Sequence, residues 1–103
     1  MDFHGMGSED VVPRDQLPLP RPYVAPRTPT EKRLAEIWRM VLTMDCVGVD
    51  DSYNDLGGDS LHASIMFTMI QDNFPIALPM AVLANASTIA ELAPMIDRLV
   101  AGE

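Results

Sequence analysis

The 103-residue chain has a single cysteine, Cys46, so no internal disulfide can form, and no second cysteine or paired histidine stands near it to complete a metal site. That usage points to a reducing cytosol, and Cys46 itself is read as incidental. Aromatic residues make up only 6% of the chain. With Leu, Ile, Val, Met and Ala supplying most of the apolar residues, packed helices are favoured over a sheet-rich sandwich. No apolar run approaches membrane-spanning length, and the leading MDFHGMGSEDVV has neither a basic start nor an apolar core. Membrane insertion and export are therefore not expected.

Basic residues are scarce and unevenly placed. The formal net charge is -8, and the seven basic residues are Arg14, Arg21, Arg27, Lys32, Arg33, Arg39 and Arg98. The span 40–97 thus has no Lys or Arg, while it carries Asp45, Asp50, Asp51, Asp55, Asp59, Asp72, Glu91 and Asp97. Such a surface repels phosphate backbones, which excludes nucleic acid as a partner, and it attracts proteins with basic faces.

Apolar residues are 48% of the chain, enough for the core of one small domain and too few residues for a second. Residues 1–27 hold Pro13, Pro18, Pro20, Pro22 and Pro26 without helical or strand periodicity. They read as a flexible, Pro-rich tail near polyproline II, with order beginning near Thr28. There Thr28-Pro29-Thr30-Glu31 forms a capping box with proline at the first helical position. Leu34, Ile37, Trp38, Val41 and Leu42 then mark one buried helix face, ending near Thr43 or Met44.

The stretch DCVGVDDSYNDLGG over 45–58 is a long connection anchored by Val47, Val49, Tyr53 and Leu56, with room for one helical turn at 52–56. A second helix runs from Ser60 to about Asp72, with Asp59 as cap or first-turn acid. Its apolar residues form two stripes, Ala63, Met66, Phe67 and Ile70 on one and Leu61, Ile65 and Met69 on the other, so some of the second stripe and His62 should stay at the surface. Pro75 and Pro79 bracket an extended piece, and 80–85 can supply a short helix. Thr88-Ile89-Ala90-Glu91 repeats the capping box and opens a last helix, which Pro94 should bend. The fold class is all-α, with three main helices, a short additional one before the last, and a long loop after the first.

Ser60 is the residue with chemical possibilities. A serine hydrolase needs a base within reach, a group that orients it and an oxyanion hole. The chain has two histidines, His4 in the tail and His62 on a different azimuth of the same helix, and neither suits Ser60. Taken alone, Gly57-Gly58-Asp59-Ser60 is a helix start. The long acidic loop before it, the apolar surface after it and the lack of a catalytic partner suggest a serine presented for other proteins to modify.

The stretch Asp55-Leu56-Gly57-Gly58-Asp59-Ser60-Leu61 resembles the phosphopantetheine attachment motif of carrier proteins, especially the peptidyl carrier (thiolation) domains of nonribosomal peptide synthetases. APRTPTEKRLAEIW resembles the first helix of that family and LPMAVLANASTIAEL its third and fourth, so the likeness covers about 25–99. It implies a four-helix acyl-carrier-like bundle over 28–100, no enzymatic activity, and a 4'-phosphopantetheine arm, taken from coenzyme A, on Ser60 beside Gly58 and Asp59. The arm would hold an amino acid or aryl or acyl group as a thioester in the cytoplasm.

The partners so implied are a phosphopantetheinyl transferase, an adenylating loading enzyme and condensation or other synthetase domains, met by a monomeric carrier through Leu61, Ile65, Met69, Met80 and Val82. Ile65 and Met69 depart from the family's usual polar residues; they either form an apolar docking surface or are buried by a rotated helix. QLPLPRPYVAPRTPTE resembles the linker that follows an adenylation domain, and the leading Met1 favours a stand-alone carrier over a piece of a larger synthetase. The rival reading is an acidic helical protein-interaction module with no covalent arm.

Overall fold

The computed structural model describes residues 11–79 and 87–102. Among these residues the regular elements are a 3-10 turn, Arg14–Gln16, and three helices: α1, Pro29–Leu42; α2, Ser60–Asn73; and α3, Ile89–Val100. The short helix expected over 80–85, with Met80 and Val82, lies outside the described residues.

Two of the helices begin as their sequences require. At α1 the Thr28 hydroxyl accepts from Glu31 N–H, and Glu31 returns its carboxylate to the backbone N–H groups of Thr28 and Arg27. Those bonds explain why a glutamate can be buried there. Thr88 and Glu91 build the same box at α3. Pro94 sits exposed inside α3, which continues to Val100.

The helix α1 packs against both α2 and α3. Its Leu34, Ile37, Trp38 and Val41 are buried, as the spacing predicts, against Met66 and Ile70 of α2 and Ile89, Leu92 and Ile96 of α3. The loop contributes Val47, Val49 and Leu56 to the same core. These side chains are what hold so long a connection down, since about 25 cal/mol accrues per Å² of apolar surface removed from water. Its backbone is tied too, because Val49 donates to Val24 and accepts from Ala90 N–H of α3. The expected turn at 52–56 is present as a single helical bond from Leu56 N–H to Ser52.

Of the segment 1–27 before α1, expected as a flexible tail, residues 11–27 are described. These are extended, but they lie on the domain. Val12 exchanges backbone hydrogen bonds with Thr43 and Asp45, Arg14 pairs with buried Asp51, and Leu17, Leu19 and Val24 pack against the core. Buried Asp51 and the Thr43–Asp45 backbone thus find hydrogen-bond partners in this segment. The same pairing accompanies an unusual end to α1. Thr43 takes the left-handed conformation, φ 55°, which a β-branched residue adopts at a cost.

Candidate functional site

Ser60 is exposed and is the first residue of α2. The loop reaches it through a tight turn in which Gly57 N–H bonds to Asn54 and Gly58 N–H to Tyr53. Gly57 has φ 88°, a region where glycine alone is unstrained, and a Cβ there would meet nothing within 4 Å. The space in front of the turn is thus open. Gly58 is glycine for a different reason: a Cβ at this position would lie 2.2 Å from the Tyr53 ring. No side chain fits between that ring and the backbone.

Asp59 caps α2. Its Oδ1 accepts from His62 N–H at 2.8 Å, and the His62 ring approaches the same oxygen through Nδ1 at 2.7 Å. The backbone bond from His62, reinforced by its ring, holds the Asp59 carboxyl below the usual carboxylate range. Tyr53 donates its hydroxyl to the Asp59 carbonyl at 2.9 Å. In the sequence Tyr53 reads only as an apolar anchor, so its part in the site goes unseen there. The signal available was its place five residues before the second glycine.

An aspartate and a histidine beside a serine invite comparison with a catalytic triad, but the geometry opposes it. Ser60 and His62 are two residues apart on a helix and point to nearly opposite sides. No hydrogen bond joins the Ser60 hydroxyl to a side chain among the described residues, and the His62 ring is turned to the capping carboxylate. Nor do the described residues contain a group of three or more His, Cys, Asp or Glu side chains fit to hold a metal ion. What the site offers is an exposed hydroxyl at the start of a helix, where backbone N–H groups and the dipole favour a phosphate charge.

Beyond the serine, the apolar stripe of α2 divides. Leu61 is 69% exposed and Ile65 46%, while Met69 is half-buried and packs against the core. Met69 thus differs from its two companions. Measured from the middle of the buried pair Met66 and Ile70, Met69 lies about 80° round the helix and Ile65 about 120°, at 3.6 residues per turn.

Residues 32–96 match the family model described as phosphopantetheine attachment site. Tyrocidine synthase 3 of Brevibacillus parabrevis is 40% identical over 91 residues, which is 80% of this chain and 1% of that protein. Gramicidin S synthase 2 of Brevibacillus brevis is 43% identical over 74 residues, 72% of this chain and 2% of that protein. The chain therefore spans only a small fraction of the curated relatives it matches. Among solved structures, the solution structure of an active-site mutant peptidyl carrier protein has a TM-score of 0.74 at 32% identity, covering 79% of this chain and 90% of that one. A peptidyl carrier protein solved in complex with the phosphopantetheine transferase Sfp and coenzyme A has a TM-score of 0.71 at 34% identity, covering 74% and 99%. The helices, the capped serine and these likenesses agree: the chain belongs to the phosphopantetheine attachment-site family, as a carrier domain of the nonribosomal peptide synthetase type.

Proposed function

We propose that Ser60 is the residue that receives the arm, and that the domain presents an amino acid or aryl acid, held as a thioester, to enzymes that condense it. The observation that carries this is an exposed serine heading α2, flanked by the capping aspartate and open space, with no side chain bonded to its hydroxyl among the described residues. In the modification, the Ser60 oxygen bonds to the phosphorus of the pantetheine half of coenzyme A and the phosphoanhydride bond breaks. The adenosine half leaves, and the hydroxyl proton passes to a base of the transferase. The arm supplies a terminal thiol that holds the cargo; this chain's own residues only position the serine, tolerate the added charge and offer a surface to partners.

Catalysis is thus left to a phosphopantetheinyl transferase, an adenylating loading enzyme and condensing domains, all reached in the cytoplasm. Leu61 and Ile65 supply the apolar part of the docking surface, and Gly58 and Asp59 the immediate surroundings of the arm. The carrier unit is 28–100, with 11–27 laid along it as an extended strap. No helix of the described residues is long and apolar enough to cross a membrane.

The test is direct. The protein is incubated with coenzyme A and a broad-specificity phosphopantetheinyl transferase and weighed intact. One arm is expected on the parent and none on Ser60→Ala; an unmodified parent, or an adduct that survives the substitution, ends the reading.

A further inference from the structure

We propose that Tyr53 is the positioning residue for Ser60, its ring filling the space beside Gly58 and its hydroxyl fixing the Asp59 carbonyl, so that the serine is held at one angle to the enzyme that modifies it. The inference rests on Ser60 being the attachment residue.

Tyr53 is itself anchored from two directions. Its N–H donates to the Ser87 carbonyl at 2.8 Å, just before α3. Its ring stands edge-on to buried Trp38, with centroids 5.6 Å apart, a favoured aromatic geometry. From that base the residue reaches the motif three ways. The Tyr53 carbonyl accepts Gly58 N–H at 3.0 Å, the ring lies against Gly58 so closely that a Cβ has no room, and the hydroxyl bonds to Asp59.

The last contact matters most for the serine. The Asp59 carbonyl also accepts Ala63 N–H at 2.9 Å, the first hydrogen bond of α2. One oxygen is therefore held by the helix and by the loop together, and Ser60 is the residue that follows it. Burial pushes the Tyr53 phenol above its ordinary pKa, so the hydroxyl remains a donor throughout the neutral range. The ring and the hydroxyl are separable: phenylalanine keeps the first and loses the second, and leucine loses both.

The experiment compares the parent with Tyr53→Phe, Tyr53→Leu and Ser60→Ala, each checked for helical content and melting. Amide exchange of Gly58 and Ala63 is read on protein without an arm, and loading by the transferase is read at varied carrier concentration. Tyr53→Phe is expected to stay folded, to exchange faster at both amides, and to lose about fivefold in kcat, the order expected of one hydrogen bond, with KM little changed. Tyr53→Leu should lose more of both. Unchanged exchange and loading in Tyr53→Phe would overturn the role of the hydroxyl while leaving Ser60 as the attachment residue. An adduct on Ser60→Ala overturns the attachment reading and the positioning role with it.

Discussion

Arg14 meets the carboxylate of Asp51 with two nitrogens, Nε to one oxygen and a terminal nitrogen to the other, both at 2.6 Å. Asp51 is only 2% exposed, and its Oδ2 also accepts Gly48 N–H. Arg14 in turn stacks over Tyr23 and donates to the Arg21 carbonyl, so one side chain fastens the N-terminal strap to the loop that leads to Ser60. Removing one partner of such a pair leaves a buried charge unpaired, which costs about 3 kcal/mol. Arg14→Ala should lower urea stability by about that amount, Asp51→Ala by less because the Arg14 left behind is partly exposed, and the double variant by less than the sum. Strict additivity would show that the pair is not coupled. A protein starting at Thr28 should show the same loss as Arg14→Ala or more.

Gly58→Ala places a methyl group inside the Tyr53 ring. Overpacking of this kind costs about 2 kcal/mol, and here the displaced ring also loses its bond to Asp59. Because the obstacle is a side chain, the damage is conditional. Gly58→Ala should be better tolerated in a Tyr53→Leu background, with a coupling of about 1 kcal/mol in denaturant melts. Equal costs in the two backgrounds would remove the steric explanation.

Acid should release the cap of α2. The Asp59 carboxyl is held low first by the His62 backbone N–H and then by its ring, so the folded value lies under the unfolded one. Stability from this group is then fully present above the unfolded value of about 3.9 and is lost as pH falls through the lower folded value. An NMR titration should place the Asp59 midpoint below that of an unstructured aspartate. His62→Ala should recover only part of the displacement, because the backbone N–H remains. A midpoint at or above the ordinary value in the parent refutes the assignment.

The divided stripe on α2 predicts two kinds of variant. Leu61→Asp and Ile65→Asp should melt within about 0.5 kcal/mol of the parent, as exposed substitutions do, yet slow loading by an adenylating enzyme. Met69→Ala should instead lower stability by about 1 kcal/mol, less than a fully buried methionine would lose. If Ile65→Asp proved as destabilising as Met69→Ala, the placement of Ile65 at the surface would be wrong.

The capping boxes at Thr28 and Thr88 were legible because four consecutive residues decide each of them. The core face of α1 was legible as well, since Leu34, Ile37, Trp38 and Val41 recur at helical spacing on a helix with a polar opposite side. On α2 that signal fails: apolar residues surround most of the helix, and only packing against α1 separates buried Met66 and half-buried Met69 from exposed Ile65. The docking of the strap was invisible for another reason. Arg14 and Asp51 are 37 residues apart, and a segment rich in proline carries no periodicity to mark which of its side chains turns inward.

Ser60 itself stood out through its motif, yet the device that aims it did not. Tyr53 reads as one apolar residue among several in a loop, and its hydroxyl gains meaning only when the turn at Gly57 brings the Asp59 carbonyl within its reach. Sequence marks the residue proposed for modification more readily than the residue proposed to hold it, because the first is recognised by type and the second by where the chain returns.

The three helix starts also divide the molecule mechanically. Glu31 and Glu91 each close their own helix on the backbone a few residues away, so α1 and α3 are begun by neighbours in the chain. At the corresponding place in α2 stands His62, which meets the Asp59 carboxylate with both its backbone N–H and its ring, while the Asp59 carbonyl is held in addition by Tyr53 from the loop. A protein that presses on Tyr53, or on the chain just ahead of Thr88 to which Tyr53 is tied, therefore has a lever on the end of α2 that bears the serine. At α1 and α3 the threonine and the glutamate cap each other's backbone reciprocally, whereas α2 is capped in one direction and takes its second hold from the loop.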